Sequence, residues 1–233
     1  MLVRGLVSSR SEAENWIRLG RVRVGGRTAV KAGLFVDESA PIELMASERY
    51  VSRAGLKLAG AAKAFNLNFR DKMVLDVGSS TGGFTDFALQ HGAKKVYAVD
   101  VGTDQLHPSL RGNKRIELYE KTDIRDFVPS ETPDIVVIDV SFISLRQILP
   151  HVAKIVDKNT TIVAMVKPQF EAQRQQLTRG GVVKNDGVRR AILREFEQWA
   201  RANFIIIDKA DSEVKGAHGN LERFYILRKA GSC

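Results

Sequence analysis

Cysteine is almost absent from these 233 residues, with Cys233 standing alone. A disulfide framework and a cysteine-built zinc cage are therefore excluded. No metal is expected, and a reducing cytoplasm is the expected compartment. Long apolar runs are also lacking. The longest clean one, residues 162–166, falls far short of the roughly 18 residues that cross a bilayer, so no membrane span is expected. Met1-Leu2-Val3-Arg4 has no secretory h-region, and the chain carries no internal repeat or low-complexity tract. Acidic groups are the scarcer charge, 27 against 36 basic, which leaves a net charge of +9. That excess sits in two windows, residues 1–31 and 167–194, each about five charges positive, on an otherwise nearly neutral body. Such windows favour a polyanionic partner over a merely solvated basic face.

A hydrophobic share of 44% and a charged share of 27% are those of a globular protein. Two kinds of patterning follow one another. Ser9-Arg10-Ser11-Glu12 reads as a capping box, Ala13, Trp16, Ile17 and Leu19 recur at helical spacing, and Gly20 is a helix-stopping glycine. Arg21-Val22-Arg23-Val24 then alternates like a strand and Gly25-Gly26 turns it back, which predicts a small basic module up to about Pro41. From residue 73 onward, β-rich runs at 73–77, 96–100, 116–119, 134–139, 160–166, 205–208 and 224–227 alternate with helical stretches at 84–91, 145–156 and 188–202. That alternation predicts an α/β fold with a mostly parallel sheet, whose strand carboxyl ends carry the chemistry. Residues 168–187 form a long, polar, glycine-punctuated connection of a kind that is usually functional or disordered.

Residues 74–84, Val-Leu-Asp-Val-Gly-Ser-Ser-Thr-Gly-Gly-Phe, combine a strand, a glycine turn and a helix start. Gly78, Gly82 and Gly83 let a ligand approach the backbone, and Ser79, Thr81 and Phe84 complete the candidate loop. The spacing is not that of the dinucleotide fingerprint, and an acid, Asp76, lies inside the strand. An acid ahead of the loop suits a cationic amino-acid end, such as the ammonium and sulfonium of S-adenosylmethionine. Asp100 ends the next strand, where a carboxylate can accept ribose hydroxyls, and Asp123 follows the third strand within reach of an adenine amino group. A different nucleotide, such as NAD, is the minority alternative.

Four charged residues stand at strand ends or just before the sheet: Lys57, Asp139, Lys167 and Glu222. Neighbouring parallel strands set Asp139 and Lys167 side by side. A ribose hydroxyl is a poor nucleophile until its proton is removed. A lysine serves as the base only with a lowered pKa, which a second ammonium favours, while carboxylates limit the charge cost. Each residue alone would pass for an ordinary surface ion pair, but the four together point to catalysis.

Residues 50–58, the 76–84 loop, Ile138-Asp139-Val140-Ser141-Phe142-Ile143-Ser144-Leu145 and Val166-Lys167-Pro168-Gln169-Phe170-Glu171 closely resemble the TlyA, haemolysin A-like, family of rRNA ribose 2'-O-methyltransferases. The resemblance covers nearly the whole chain. It implies a Rossmann-like class I methyltransferase domain of FtsJ type, with a seven-stranded, mostly parallel sheet whose last strand is antiparallel. It also implies S-adenosylmethionine as cofactor, a cytidine ribose in ribosomal RNA or a ribosomal subunit as target, and a Lys57-Asp139-Lys167-Glu222 tetrad, with Asp139 also bordering the cofactor. The N-terminal unit resembles an S4 α+β RNA-binding domain whose first helix is already under way at Met1. The expected organisation is residues 1–46 for that module, 47–72 for a linker and helix, and 73–233 for the catalytic domain. Arg4, Arg10, Arg18, Arg21, Arg23, Arg27, Arg174 and Arg179 are the expected RNA contacts. Two rival functions are an RNA-binding assembly protein with an inactive catalytic domain, disfavoured by the intact tetrad and glycine loop, and a pore-forming haemolysin, disfavoured by the lack of long helices.

Overall fold

A computed structural model describes residues 1–7, 10–18, 20, 22–44, 50–216 and 219–231; within these, the side chains of residues 11, 12, 15 and 18 lie outside the description. The chain divides into two units, Met1–Arg49 and Tyr50–Cys233.

In the first unit, helix α1 (Arg10–Arg18) precedes strands β1 (Val22–Val24), β2 (Arg27–Ala29) and β3 (Ile42–Leu44), which form an antiparallel sheet in the order β2-β1-β3. Gly25 and Gly26 both take positive φ, the requirement of the two-residue hairpin that links β1 to β2. The Gly20 amide donates to Ile17 at 3.0 Å and ends α1 as its sequence position predicts. Ser9 and Leu19 lie outside the described residues, as does the Glu12 side chain. The expectation that Met1 stands inside a helix is not met: residues 1–7 form turns, with Gly5 in the left-handed region at φ +66° and its amide bonded to Leu2. A glycine in that conformation cannot continue a right-handed helix.

In the second unit, α2 (Arg53–Ala64) is followed by β4 (Met73–Val77), α3 (Gly83–Gln90), β5 (Lys95–Val99), β6 (Ile116–Tyr119), β7 (Ile135–Ile138), α4 (Leu145–Ile155), β8 (Thr161–Val166), the short α5 (Pro168–Glu171), α6 (Asp186–Arg201), β9 (Phe204–Asp211) and β10 (Arg223–Lys229). The seven strands run β6-β5-β4-β7-β8-β10-β9, with β4 to β8 parallel and β10 antiparallel to both neighbours. Alternate residues of each strand feed two cores. Leu75, Val77, Val136 and Ile138 pack with Leu149 of α4 and Phe196 of α6, while Val74, Val137 and Val163 pack with Leu58 of α2 and Phe87 of α3. A sheet covered on both faces explains the near-continuous apolar strands. It leaves the carboxyl ends of β4, β5, β7 and β8 as the edge where polar side chains gather.

Candidate active site

Strand β4 delivers Asp76 to that edge, on the face turned toward α3. The side chain is completely buried. Its Oδ2 accepts a hydrogen bond from Thr85 Oγ1 at 2.7 Å, and its Oδ1 has no partner among the described residues. Burial pushes the Asp76 carboxyl up to about 7; the Thr85 hydroxyl opposes this, and the charges of Asp139 and Asp100 add to it. A buried acid with a free oxygen and two further carboxylates nearby has the chemistry to take a cationic group. Ser79 is likewise buried with its hydroxyl unpartnered among the described residues, whereas Thr81 is exposed.

The turn after β4 is shaped for close approach. Gly78 has φ +82°, and a Cβ there would lie 2.9 Å from the Asp139 carbonyl oxygen; Gly82, at φ +89°, is the N-cap of α3. Gly83 and Phe84 open that helix, both buried. Asp100, just past β5, accepts from the Ser80 amide at 2.8 Å through Oδ2 and from the Gly102 amide at 2.7 Å through Oδ1, which ties the two loops together. Asp123 lines the same cleft, but Arg125 engages both of its oxygens, at 2.6 Å for Oδ2 and 3.0 Å for Oδ1, and holds the carboxyl below the usual range.

Three hollows meet at this edge. The first, about 440 Å³, is bordered by Gly78, Asp100, Asp123, Asp139, Ser141 and Phe142. A smaller one, about 140 Å³, touches Asp76, Ser79, Thr81, Asp139, Ser141 and Lys167. The third, about 530 Å³, is bordered by Lys57, Ser141, Phe142, Lys167, Phe170 and Glu222.

The four charged residues expected to converge do so as two ion pairs. Asp139 follows β7 and Lys167 follows β8; their Oδ1 and Nζ atoms lie 2.6 Å apart, a charge–charge contact without hydrogen-bond alignment. Lys57, on α2, pairs with Glu222 at 2.5 Å, and Glu222 is only 2% exposed. The antiparallel register of β10 on β8, Arg223 opposite Val166, sets Glu222 level with Lys167. The Glu222 carbonyl accepts from the Ser212 amide at 2.9 Å, and the preceding Leu221 carbonyl from Arg189 Nε of α6 at 2.9 Å.

Sequence reasoning left several contributors unassigned. Ser141 accepts from Lys167 Nζ at 2.7 Å. Phe142 is 91% exposed, has φ +64° and lies 5.1 Å from the Phe170 ring. Thr85 supplies the partner of Asp76. Asn220, buried, accepts from the Val183 amide at 3.0 Å and donates to the Gly181 carbonyl at 3.2 Å, so the polar connection after β8 is pinned rather than loose. A hydroxyl two residues after a strand-end acid was the signal available for Ser141; nothing local marks Asn220. Glu171, inside the family motif, is a capping group: it accepts from Ser144 Oγ at 2.6 Å and from the Leu145 amide at 2.7 Å at the start of α4.

Of the arginines, Arg10, Arg23 and Arg27 are exposed in the first unit, and Arg174 and Arg179 are exposed in the connection after β8. Arg4 differs: its guanidinium donates to the carbonyls of Ala40, at 2.7 Å, and Glu38. Arg21 and the Arg18 side chain lie outside the described residues.

The family model for FtsJ-like methyltransferases matches residues 50–230, which hold the whole sheet and all four charged residues. This chain belongs to the FtsJ-like methyltransferase family. The S4 domain model matches residues 1–42 of the same methyltransferase. It is 38% identical over 231 residues to the 16S/23S rRNA (cytidine-2'-O)-methyltransferase TlyA of Mycobacterium tuberculosis, spanning 97% of this chain and 86% of that one. It is 40% identical over 223 residues to Hemolysin A of Brachyspira hyodysenteriae, spanning 94% and 93%. A solved structure from Streptococcus thermophilus that carries the haemolysin name superposes with a TM-score of 0.79 at 40% identity, over 97% of this chain and 85% of that one.

Proposed function

We propose that this methyltransferase transfers a methyl group from S-adenosylmethionine to a ribose 2'-hydroxyl, that of a cytidine in ribosomal RNA. The observation that carries the reading is the pairing of Asp139 with Lys167 and of Lys57 with Glu222 where the three hollows meet. The names of the relatives support the nucleotide and the RNA. A ribosomal RNA substrate fits a cytoplasmic enzyme.

The residues at the ends of β4 and β5 fit the cofactor. Asp76 offers its unpartnered oxygen to the ammonium group, and Asp100, at the rim, keeps lone pairs for ribose hydroxyls. Gly78, Gly82 and the opening amides of α3 let the chain approach closely, and Asp123 contributes wall rather than a free carboxylate. Bound there, S-adenosylmethionine supplies an electrophilic methyl group.

The chain's own work lies on the other side of Asp139. Lys167 in its amine form takes the hydroxyl proton as the 2'-oxygen attacks, Asp139 and Lys57 fix its position, and Glu222 orients Lys57. The exposed Phe142 ring at the rim, tilted 48° against the half-buried Phe170, offers an apolar face that suits an unstacked base. The exposed arginines supply phosphate contacts.

A pore-forming role has less support. Among the described residues no helix is long and apolar enough to cross a membrane. An inactive catalytic domain is disfavoured by the intact pairs. The deciding experiment is single-turnover methyl transfer to ribosomal RNA. Lys167→Ala is expected to lose about 10²–10⁴-fold in rate while cofactor and RNA affinity stay near wild type. Lys167→Arg is not expected to rescue it, because guanidinium keeps its proton. Near-normal turnover by the arginine variant would remove the general-base role.

A further inference from the structure

Among the described residues, Ser141 alone borders all three hollows. It follows the strand-end acid by two residues and precedes Phe142, whose positive φ is uncommon for a bulky side chain and clusters at functional sites. Its hydroxyl oxygen receives an aligned hydrogen bond from Lys167 Nζ at 2.7 Å, while Asp139 Oδ1 lies 2.6 Å from the same nitrogen. The Lys167 nitrogen thus meets two acceptors, one charged and one neutral, from a single turn of chain after β7.

We infer that Ser141 is a positioning residue for Lys167, fixing the direction in which that lysine presents its lone pair to the acceptor hydroxyl. The inference rests on the reading of Lys167 as the proton acceptor. A neutral amine has two N–H bonds and one lone pair. With one N–H directed to Ser141 and the nitrogen 2.6 Å from Asp139, turning the second N–H to the carboxylate leaves the lone pair a single direction, away from both. Asp139 alone, whose 2.6 Å contact with the nitrogen lacks hydrogen-bond alignment, sets the distance but leaves the amine free to rotate about its Cε–Nζ bond. The serine oxygen supplies the second point of fixation. A general base needs that fixation, because proton transfer demands alignment within hydrogen-bond geometry. The backbone strain at Phe142 fits the same purpose, since the Ser141 oxygen sits where the chain turns sharply out of the sheet.

Ser141 is exposed, so its truncation leaves the core intact. The test compares Ser141→Ala, Ser141→Thr and Lys167→Ala in single-turnover methyl transfer to ribosomal RNA over a range of RNA concentrations, with S-adenosylhomocysteine binding as a folding control. Ser141→Ala is expected to lower the maximal rate about tenfold, the rate equivalent of one hydrogen bond, with the half-saturating RNA concentration and cofactor affinity unchanged. Ser141→Thr, which keeps the hydroxyl, is expected to restore most of the rate. A wild-type rate in Ser141→Ala beside an inactive Lys167→Ala would overturn the role of Ser141 and leave the lysine reading standing. A raised half-saturating RNA concentration with an unchanged maximal rate would make Ser141 a substrate contact instead. Full activity in Lys167→Ala would sink the underlying reading and this inference with it.

Discussion

Asp76 shows how much one buried side chain can report. Its carboxyl is held up near pH 7 by burial and by two neighbouring acids. An unfolded aspartate releases its proton near pH 4, so between about 4 and 7 the folded state binds the extra proton and stability falls as pH rises; above 7 the loss is complete. The steepest part is worth about 1.4 kcal/mol per pH unit. Asp76→Asn removes this effect. The expected outcome is that the variant gains stability relative to wild type between pH 5 and pH 8, read from urea unfolding midpoints; parallel pH dependences would contradict it. The proposed cofactor-binding role adds a second readout, because a cationic ligand prefers the charged acid. Affinity for S-adenosylhomocysteine, which carries the same ammonium group, should rise from pH 6 to 7.5 in wild type and stay low in the variant. At this scale the sequence was informative where position along a strand sets direction. Asp76, Asp139 and Lys167 were legible because parallel strands align their ends. Composition marks Arg4 as a phosphate contact, and its local role was not legible: its guanidinium donates to the carbonyls of residues 38 and 40. Asn220 was invisible, because its partners, Gly181 and Val183, are some forty residues away in the chain.

Among the elements, α2 makes the contacts that were least foreseen. It presents Lys57 to Glu222, and it can do so only because it lies very close to the start of α3. A Cβ on Gly83 would meet Ser52 Oγ, Ala54 Cβ at 2.8 Å and the Gly55 amide nitrogen at 2.9 Å. The Val51 amide donates to Asp86 Oδ2 of α3 at 2.8 Å, and Tyr50 packs against Gly55. Backbone cannot give way as a flexible side chain can, so Gly83→Ala is expected to push α2 outward. The expected cost is roughly 1–3 kcal/mol of stability, together with weaker methyl transfer as Lys57 withdraws from Glu222. Thermal melting alongside turnover checks this; an alanine variant with wild-type stability and rate would show that the helix pair tolerates the spread. The strands and the three longer helices after residue 73 were readable from period alone, with boundaries within a residue or two except at β9, which runs three residues beyond its expected end. α2 is expected only as a helix somewhere within residues 47–72, without bounds, because its Gly and Ala content blurs the apolar stripe that would delimit it. The polar connection after β8 reads as functional or disordered; apart from Pro168, which opens the short helix, its order comes from a bridge between Leu177 and Val183 and the Asn220 clamp, which have no local sequence signature.

For the whole molecule, charge distribution and the family together support a ribosomal target. Arg10, Arg23 and Arg27 are exposed in the first unit. If they neutralise phosphates, replacing all three by alanine should flatten the salt dependence of RNA binding, by roughly 0.7–0.9 in log–log slope for each phosphate no longer neutralised. Filter binding at several salt concentrations reads this, and equal slopes would mark those side chains as a solvated face. The central claim, a ribose methyl placed on ribosomal RNA by the paired-lysine site, has a more direct test. Ribosomal RNA lacking the modification is incubated with S-adenosylmethionine and either wild-type protein or Lys167→Ala, and its 2'-O-methyl positions are mapped at nucleotide resolution. The expected result is a 2'-O-methylcytidine present with wild type and absent with the variant. A methyl group on a base, or the same ribose mark made equally well by Lys167→Ala, would contradict it.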